Sequence, residues 1–116
     1  MPIFDRIVTF ITSKITPEKV VLFGSYARGS NDEKSDIDIL IVVKNLDNER
    51  KVTRLLYRAL LDEDISTPID FIAVDYDKYN TLKDKIGLIY KTIEREGMVL
   101  YGGVNNQINE RPDVGI

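Results

Sequence analysis

Apolar residues at Ile3, Phe4, Ile7, Val8 and Ile11 recur at helical spacing, and Pro17 requires that first helix to have ended before it. The pattern then changes. Val20-Val21-Leu22-Phe23 is a short unbroken apolar run closed by Gly24, the signature of a buried strand. Residues 25–29 fit a short helix ended by Gly29, followed by the polar loop 30–35. A second strand is predicted from Asp36 to Val43, rich in Ile and Val. Val52, Leu55, Leu56, Ala59 and Leu60 make an apolar helical stripe. Asp62-Glu63-Asp64 would oppose the dipole at that helix's C-terminus, so the helix should stop beside them. After Pro68 a third strand is predicted from Ile69 to Val74. A single last helix should then carry Leu82, Ile86, Ile89 and Ile93, capped by Gly97, before a closing strand Met98-Val99-Leu100-Tyr101.

This order predicts one α/β domain over residues 1–101, with a mixed sheet of about four strands packed by helices, and a polar tail over 102–116. The connection between the first two strands is too short for a crossover helix, which points to an antiparallel pair. The helix between the second and third strands makes that pair parallel.

Composition narrows the chemistry. With 43% hydrophobic and 30% charged residues the 116-residue chain is globular, and a net charge of −3 carries no footprint for direct nucleic-acid binding. There is no cysteine and no histidine, so thiolate sites are excluded and any general base is a carboxylate, a lysine, a tyrosine or water. No segment approaches the roughly 20 apolar residues of a membrane span, and no signal-peptide layout opens the chain, so a cytoplasmic protein is expected.

The stretch that carries chemistry runs from Gly24-Ser25-Tyr26-Ala27-Arg28-Gly29 to Ser35-Asp36-Ile37-Asp38-Ile39-Leu40. Strand residues two apart share a face, so Asp36 and Asp38 project together and repel each other. Hard oxygen donors of this kind suit magnesium or manganese. A parallel crossover would bring Asp70 to the same sheet edge, and three carboxylates there could hold two ions for an in-line phosphoryl displacement. Gly24 allows close backbone approach to a phosphate, and Ser25 adds a hydroxyl at a helix start. Each piece alone is ordinarily a turn or a cap; their order and placement together point to phosphate chemistry.

Gly24-Ser25, ten residues, then Asp36-Ile37-Asp38 resembles the signature of the DNA polymerase beta-like nucleotidyltransferase superfamily. The fuller run is similar to its minimal nucleotidyltransferase (MNT) branch, as are Pro68-Ile69-Asp70-Phe71 and the closing segment 89–101. The resemblance covers residues 3–101. It implies a single-domain nucleotidyltransferase fold and a partnership with HEPN-domain toxins in which the MNT antitoxin transfers AMP from ATP to a tyrosine of the toxin. It implies that Asp36 and Asp38 ligate two Mg2+ ions, that Asp70 completes one site and helps activate the attacking hydroxyl, and that Gly24, Ser25, Ser35 and Arg28 serve the nucleotide. Arg28 could equally serve the partner. Tyr26 stands where many relatives carry a basic residue.

Larger relatives carry a second helical domain over the nucleotide, for which residues 102–116 have no room. The missing half of the cleft would come from a partner or from oligomerisation, or the site would be only weakly competent alone. A non-catalytic antitoxin that silences its toxin by occlusion is the alternative, with small-molecule transfer disfavoured. Lys51, Arg54 and Arg58 form a basic stripe read as solvated surface, and the six tyrosines as packing residues without a base-stacking pattern.

Overall fold

The computed structural model describes residues 2–102; the remainder of the predicted tail lies outside them. Along the chain the elements are α1 (Pro2–Lys14), β1 (Lys19–Phe23), α2 (Ser25–Arg28), β2 (Ile37–Val43), α3 (Glu49–Leu60), β3 (Ile69–Asp75), α4 (Tyr76–Leu82), α5 (Ile89–Glu96) and β4 (Met98–Gly102). The sheet order is β3-β2-β1-β4. β1 is antiparallel to both β2 and β4, whereas β2 and β3, joined through α3, are parallel. The expected mixed four-stranded sheet is present.

Helices cover both faces. Val20 and Leu22 of β1, Ile37, Ile39 and Ile41 of β2, and Ile69 and Phe71 of β3 pack on Ile7, Phe10 and Ile11 of α1 and Leu56 of α3. Val21, Leu40, Val42 and Val74 face the other way, onto Tyr79 of α4 and Ile93 of α5. A strand covered on both sides gains from an apolar residue at every position, which is why β1 and the middle of β2 read as unbroken apolar runs. Burying each Ile, Leu or Val side chain contributes about 1.5–3 kcal/mol before ordering costs.

Two expectations need correction. The single last helix is two: α4 ends at Leu82 and α5 starts at Ile89, and Ile86 between them is 87% exposed. Gly87 sits at φ 90 there, a conformation a helix interior cannot use and glycine tolerates without strain. Leu55, assigned to the buried stripe of α3, is exposed; Leu56 alone in that helix is fully buried. Gly97 does cap α5, but in an extended conformation, with its N–H donating to the Ile93 carbonyl at 2.8 Å.

The end of the sheet formed by the C-termini of β2 and β3 is tied down by polar contacts. Asp75 caps α4 by accepting from the Asp77 and Lys78 N–H groups, and its other oxygen accepts from the Leu46 N–H at 2.9 Å. Those backbone N–H groups, Leu46 first, hold the Asp75 carboxyl below the usual carboxylate range. The candidate carboxylates lie at the opposite end, where β2 and β3 begin.

Candidate active site

β1 delivers Gly24 beside the start of β2. Gly24 lies at φ 76 and ψ −156, and a Cβ built there would land on the Asp38 carboxylate. Only glycine meets both demands, positive φ and close approach. The chain turns at once into α2, whose residues Tyr26 and Ala27 pack against the core, with the Tyr26 ring edge-on to Phe4 at 6.2 Å between centroids. A one-turn helix has little dipole; what it places directly after Gly24 is Ser25, its first residue. Gly29 closes the turn in the left-handed conformation, as its place after the short helix implied.

Asp38 is partly buried in β2, and Asp36 is exposed one residue before that strand's first position. Asp70 is the direct register partner of Asp38 across the parallel β2–β3 pair, so the adjacency inferred from the crossover is realised. Burial pushes the Asp38 carboxyl up from its ordinary value, the charges of Asp70 and then Asp36 add to the rise, and Arg28 partly offsets it. All four side chains therefore belong to one electrostatic unit.

Asp70 has a partner absent from the sequence reading. The Tyr57 hydroxyl of α3 donates to Asp70 Oδ1 at 3.0 Å and accepts from the Phe71 N–H at 2.8 Å. Its ring leans on the Phe71 ring with centroids 5.2 Å apart. No local signal singled Tyr57 out: the contact joins residues 13 apart in sequence through the α3–β3 packing.

Ser35 is held within its own loop. Its hydroxyl accepts from the Asp32 N–H at 2.9 Å and donates to Asp32 Oδ1 at 3.2 Å, closing the loop that leads into Asp36. The basic stripe is exposed, and Lys51, Arg54 and Arg58 line an open groove of about 540 Å³ between α3 and the end of α1, with Lys14, Leu55 and Asp62. None of the candidate residues lies in that groove. They form a shelf at the sheet end, with Arg28, Asp36 and Asp70 exposed.

Among the described residues no three acidic side chains close into a cage sufficient to hold an ion unaided. The donor set nevertheless fits magnesium, which keeps several waters and is held by one or two carboxylates together with substrate phosphates. Burial first and then the like charge of Asp70, its register partner, raise the Asp38 carboxyl, with Arg28 a partial offset; a divalent ion would relieve that repulsion.

The nucleotidyltransferase domain profile matches residues 4–101. A protein of Methanocaldococcus jannaschii provisionally named a protein adenylyltransferase is 44% identical over 62 residues, 51% of this chain and 61% of the relative. The match thus spans about three-fifths of that relative's length. A protein of Sulfolobus solfataricus provisionally named a nucleotidyltransferase superposes with a TM-score of 0.57 at 26% identity, covering 84% of this chain and 75% of that one. A toxin–antitoxin structure with AMP-PNP gives a TM-score of 0.58 at 23% identity, covering 86% and 73%. A chain in the structure of a tri-AMPylated Shewanella oneidensis HEPN toxin in complex with MNT antitoxin gives 0.51 at 21%, covering 86% and 70%. At those last two identities the shared property is the fold.

Proposed function

The chain belongs to the nucleotidyltransferase domain family, and from that premise we propose that it is a magnesium-dependent protein adenylyltransferase, the antitoxin of a HEPN/MNT pair, which moves AMP from ATP to a tyrosine hydroxyl of its toxin. The observation that carries the reading is the Asp38–Asp70 register pair, with Asp36 two residues before Asp38 and Gly24 against the Asp38 carboxylate. The relatives' names and the AMPylated toxin bound to an MNT antitoxin support the substrate and partner.

In this reading Asp36, Asp38 and Asp70 would hold the metal, as two ions. Bound there, magnesium would offset negative charge on the triphosphate and on the acceptor oxygen. Ser25 and the Gly24 turn hold the triphosphate tail, and Arg28 stands where it can meet a phosphate or the partner. Asp70 takes the proton of the acceptor hydroxyl. The acceptor oxygen bonds to the α-phosphorus, the bond to the β-phosphate oxygen breaks, and pyrophosphate leaves. Because the shelf is open, the acceptor protein supplies the missing wall. A cluster of mutually repelling acids has no use in a module that only binds, which favours turnover over occlusion.

Incubating the chain with its HEPN-domain partner and magnesium, using ATP labelled at either the α- or the γ-phosphate, tests this. Label should reach the partner only from α-labelled ATP. Transfer from γ-labelled ATP would mean phosphorylation, and silencing of the partner without any label would mean occlusion.

A further inference from the structure

The geometry points to Tyr57 as a positioning residue that fixes the Asp70 carboxylate, an inference that rests on the nucleotidyl-transfer reading above. A phenol has one proton to donate. The Phe71 N–H occupies an acceptor position of the Tyr57 oxygen at 2.8 Å, and the proton is directed to Asp70 Oδ1 at 3.0 Å. The acceptor and donor directions of this hydroxyl are thus set by two neighbours in one strand, and among the described residues Asp70 Oδ2 has no hydrogen-bond donor.

Tyr57 is itself part-exposed but is backed by packed residues. Its neighbour Leu56 is fully buried against the sheet, and its ring packs on that of Phe71, itself in the core. β3 is an edge strand, so the Phe71 N–H has no strand on its outer side; Tyr57 fills that position and turns the pairing to use. Asp70 is exposed and Tyr57 is its sole side-chain hydrogen-bond partner among the described residues. Without the phenol the carboxylate would sample several rotamers, and a group that must meet both an ion and an acceptor hydroxyl would lose its alignment. Tyr57 touches neither nucleotide nor acceptor in this account; it acts through Asp70.

The test uses the full chain, its HEPN-domain partner and Mn2+ as the metal probe. Tyr57→Phe keeps the ring and removes only the hydroxyl. It should lower kcat by about 10-fold, the low end for loss of a partner behind a metal ligand, with the KM for ATP within about twofold. Mn2+ affinity measured by electron paramagnetic resonance should fall several-fold. In an Asp70→Asn background, Tyr57→Phe should change Mn2+ affinity no further. Unchanged kcat and Mn2+ affinity, or equal losses in both Asp70 backgrounds, would overturn the inference. So would AMP found on Tyr57 itself, which would make it an acceptor. If the wild-type chain transfers no AMP, the nucleotidyl-transfer reading fails, and the Mn2+ comparison still decides whether Tyr57 orders Asp70.

Discussion

Replacing Asp38 by asparagine should stabilise the metal-free protein while abolishing its activity. The folded-state carboxyl of Asp38 is raised above its unfolded value of 3.8, by burial first and then by Asp70 and Asp36. A raised carboxyl favours the fold when protonated. That contribution is complete below the unfolded value and disappears as pH rises through the higher folded value, so at pH 7 the ionised side chain opposes folding. The size follows from the register. Carboxylates on adjacent strands lie about 5 Å apart, giving a repulsion of about 3 kcal/mol at an effective dielectric of 20 and about 1 kcal/mol in water. Asp36 and Asp70 are exposed, which selects the lower figure. Asp38→Asn should therefore gain about 1 kcal/mol, or roughly 4–8 °C in Tm for a domain of this size. Thermal denaturation followed by circular dichroism at pH 7 in EDTA reads this directly. The advantage should shrink as pH falls toward 4. With magnesium and ATP the order should reverse, because only the wild-type site gains from binding. An Asp38→Asn protein less stable than wild type in EDTA at pH 7 would refute the argument that these carboxylates strain the unliganded fold.

Other substitutions separate site from scaffold. Gly24→Ala places a methyl on the Asp38 carboxylate at φ 76, so it should lower both Tm and transfer, read by calorimetry and label incorporation. Asp75→Ala removes the α4 cap and the tie to Leu46 and should lower the urea denaturation midpoint at pH 7. Because the Asp75 carboxyl is held low, its contribution is present above the unfolded value of 3.8 and lost as pH falls through the lower folded one, so variant and wild type should converge in strong acid. Leu56→Ala should cost about 2–5 kcal/mol in the same assay, whereas Leu55→Ala, at an exposed position, should fall within about 0.5 kcal/mol.

The carboxylate pair was legible because it depends on short-range rules. Strand periodicity puts Asp36 and Asp38 on one face, and a helix-length crossover makes β2 and β3 parallel, which aligns Asp38 with Asp70. Gly24 was legible as a close-approach residue, though not that Asp38 itself is what it makes room for. Tyr57 was not, since nothing local distinguishes a helix tyrosine that packs from one that also reaches across a strand edge to a carboxylate. Leu55 misled because a helix stripe wider than the contact surface looks the same in sequence as one fully used. The division of α4 from α5 turned on Gly87, whose cost inside a helix is only about 1 kcal/mol and which tertiary packing decides. Ser35, read with the nucleotide, is engaged by Asp32, a pairing that needed the loop's conformation to be seen.

The central claim is AMP transfer at the Asp36/Asp38/Asp70 site. Its most direct test is the intact mass of the HEPN-domain partner after incubation with this chain, ATP and magnesium. One or more AMP-sized additions on a tyrosine, absent with Asp36→Ala or Asp38→Ala proteins that melt as cooperatively as wild type, is the predicted result. An unmodified partner, silenced nonetheless in a stable complex with the wild-type chain, would contradict it.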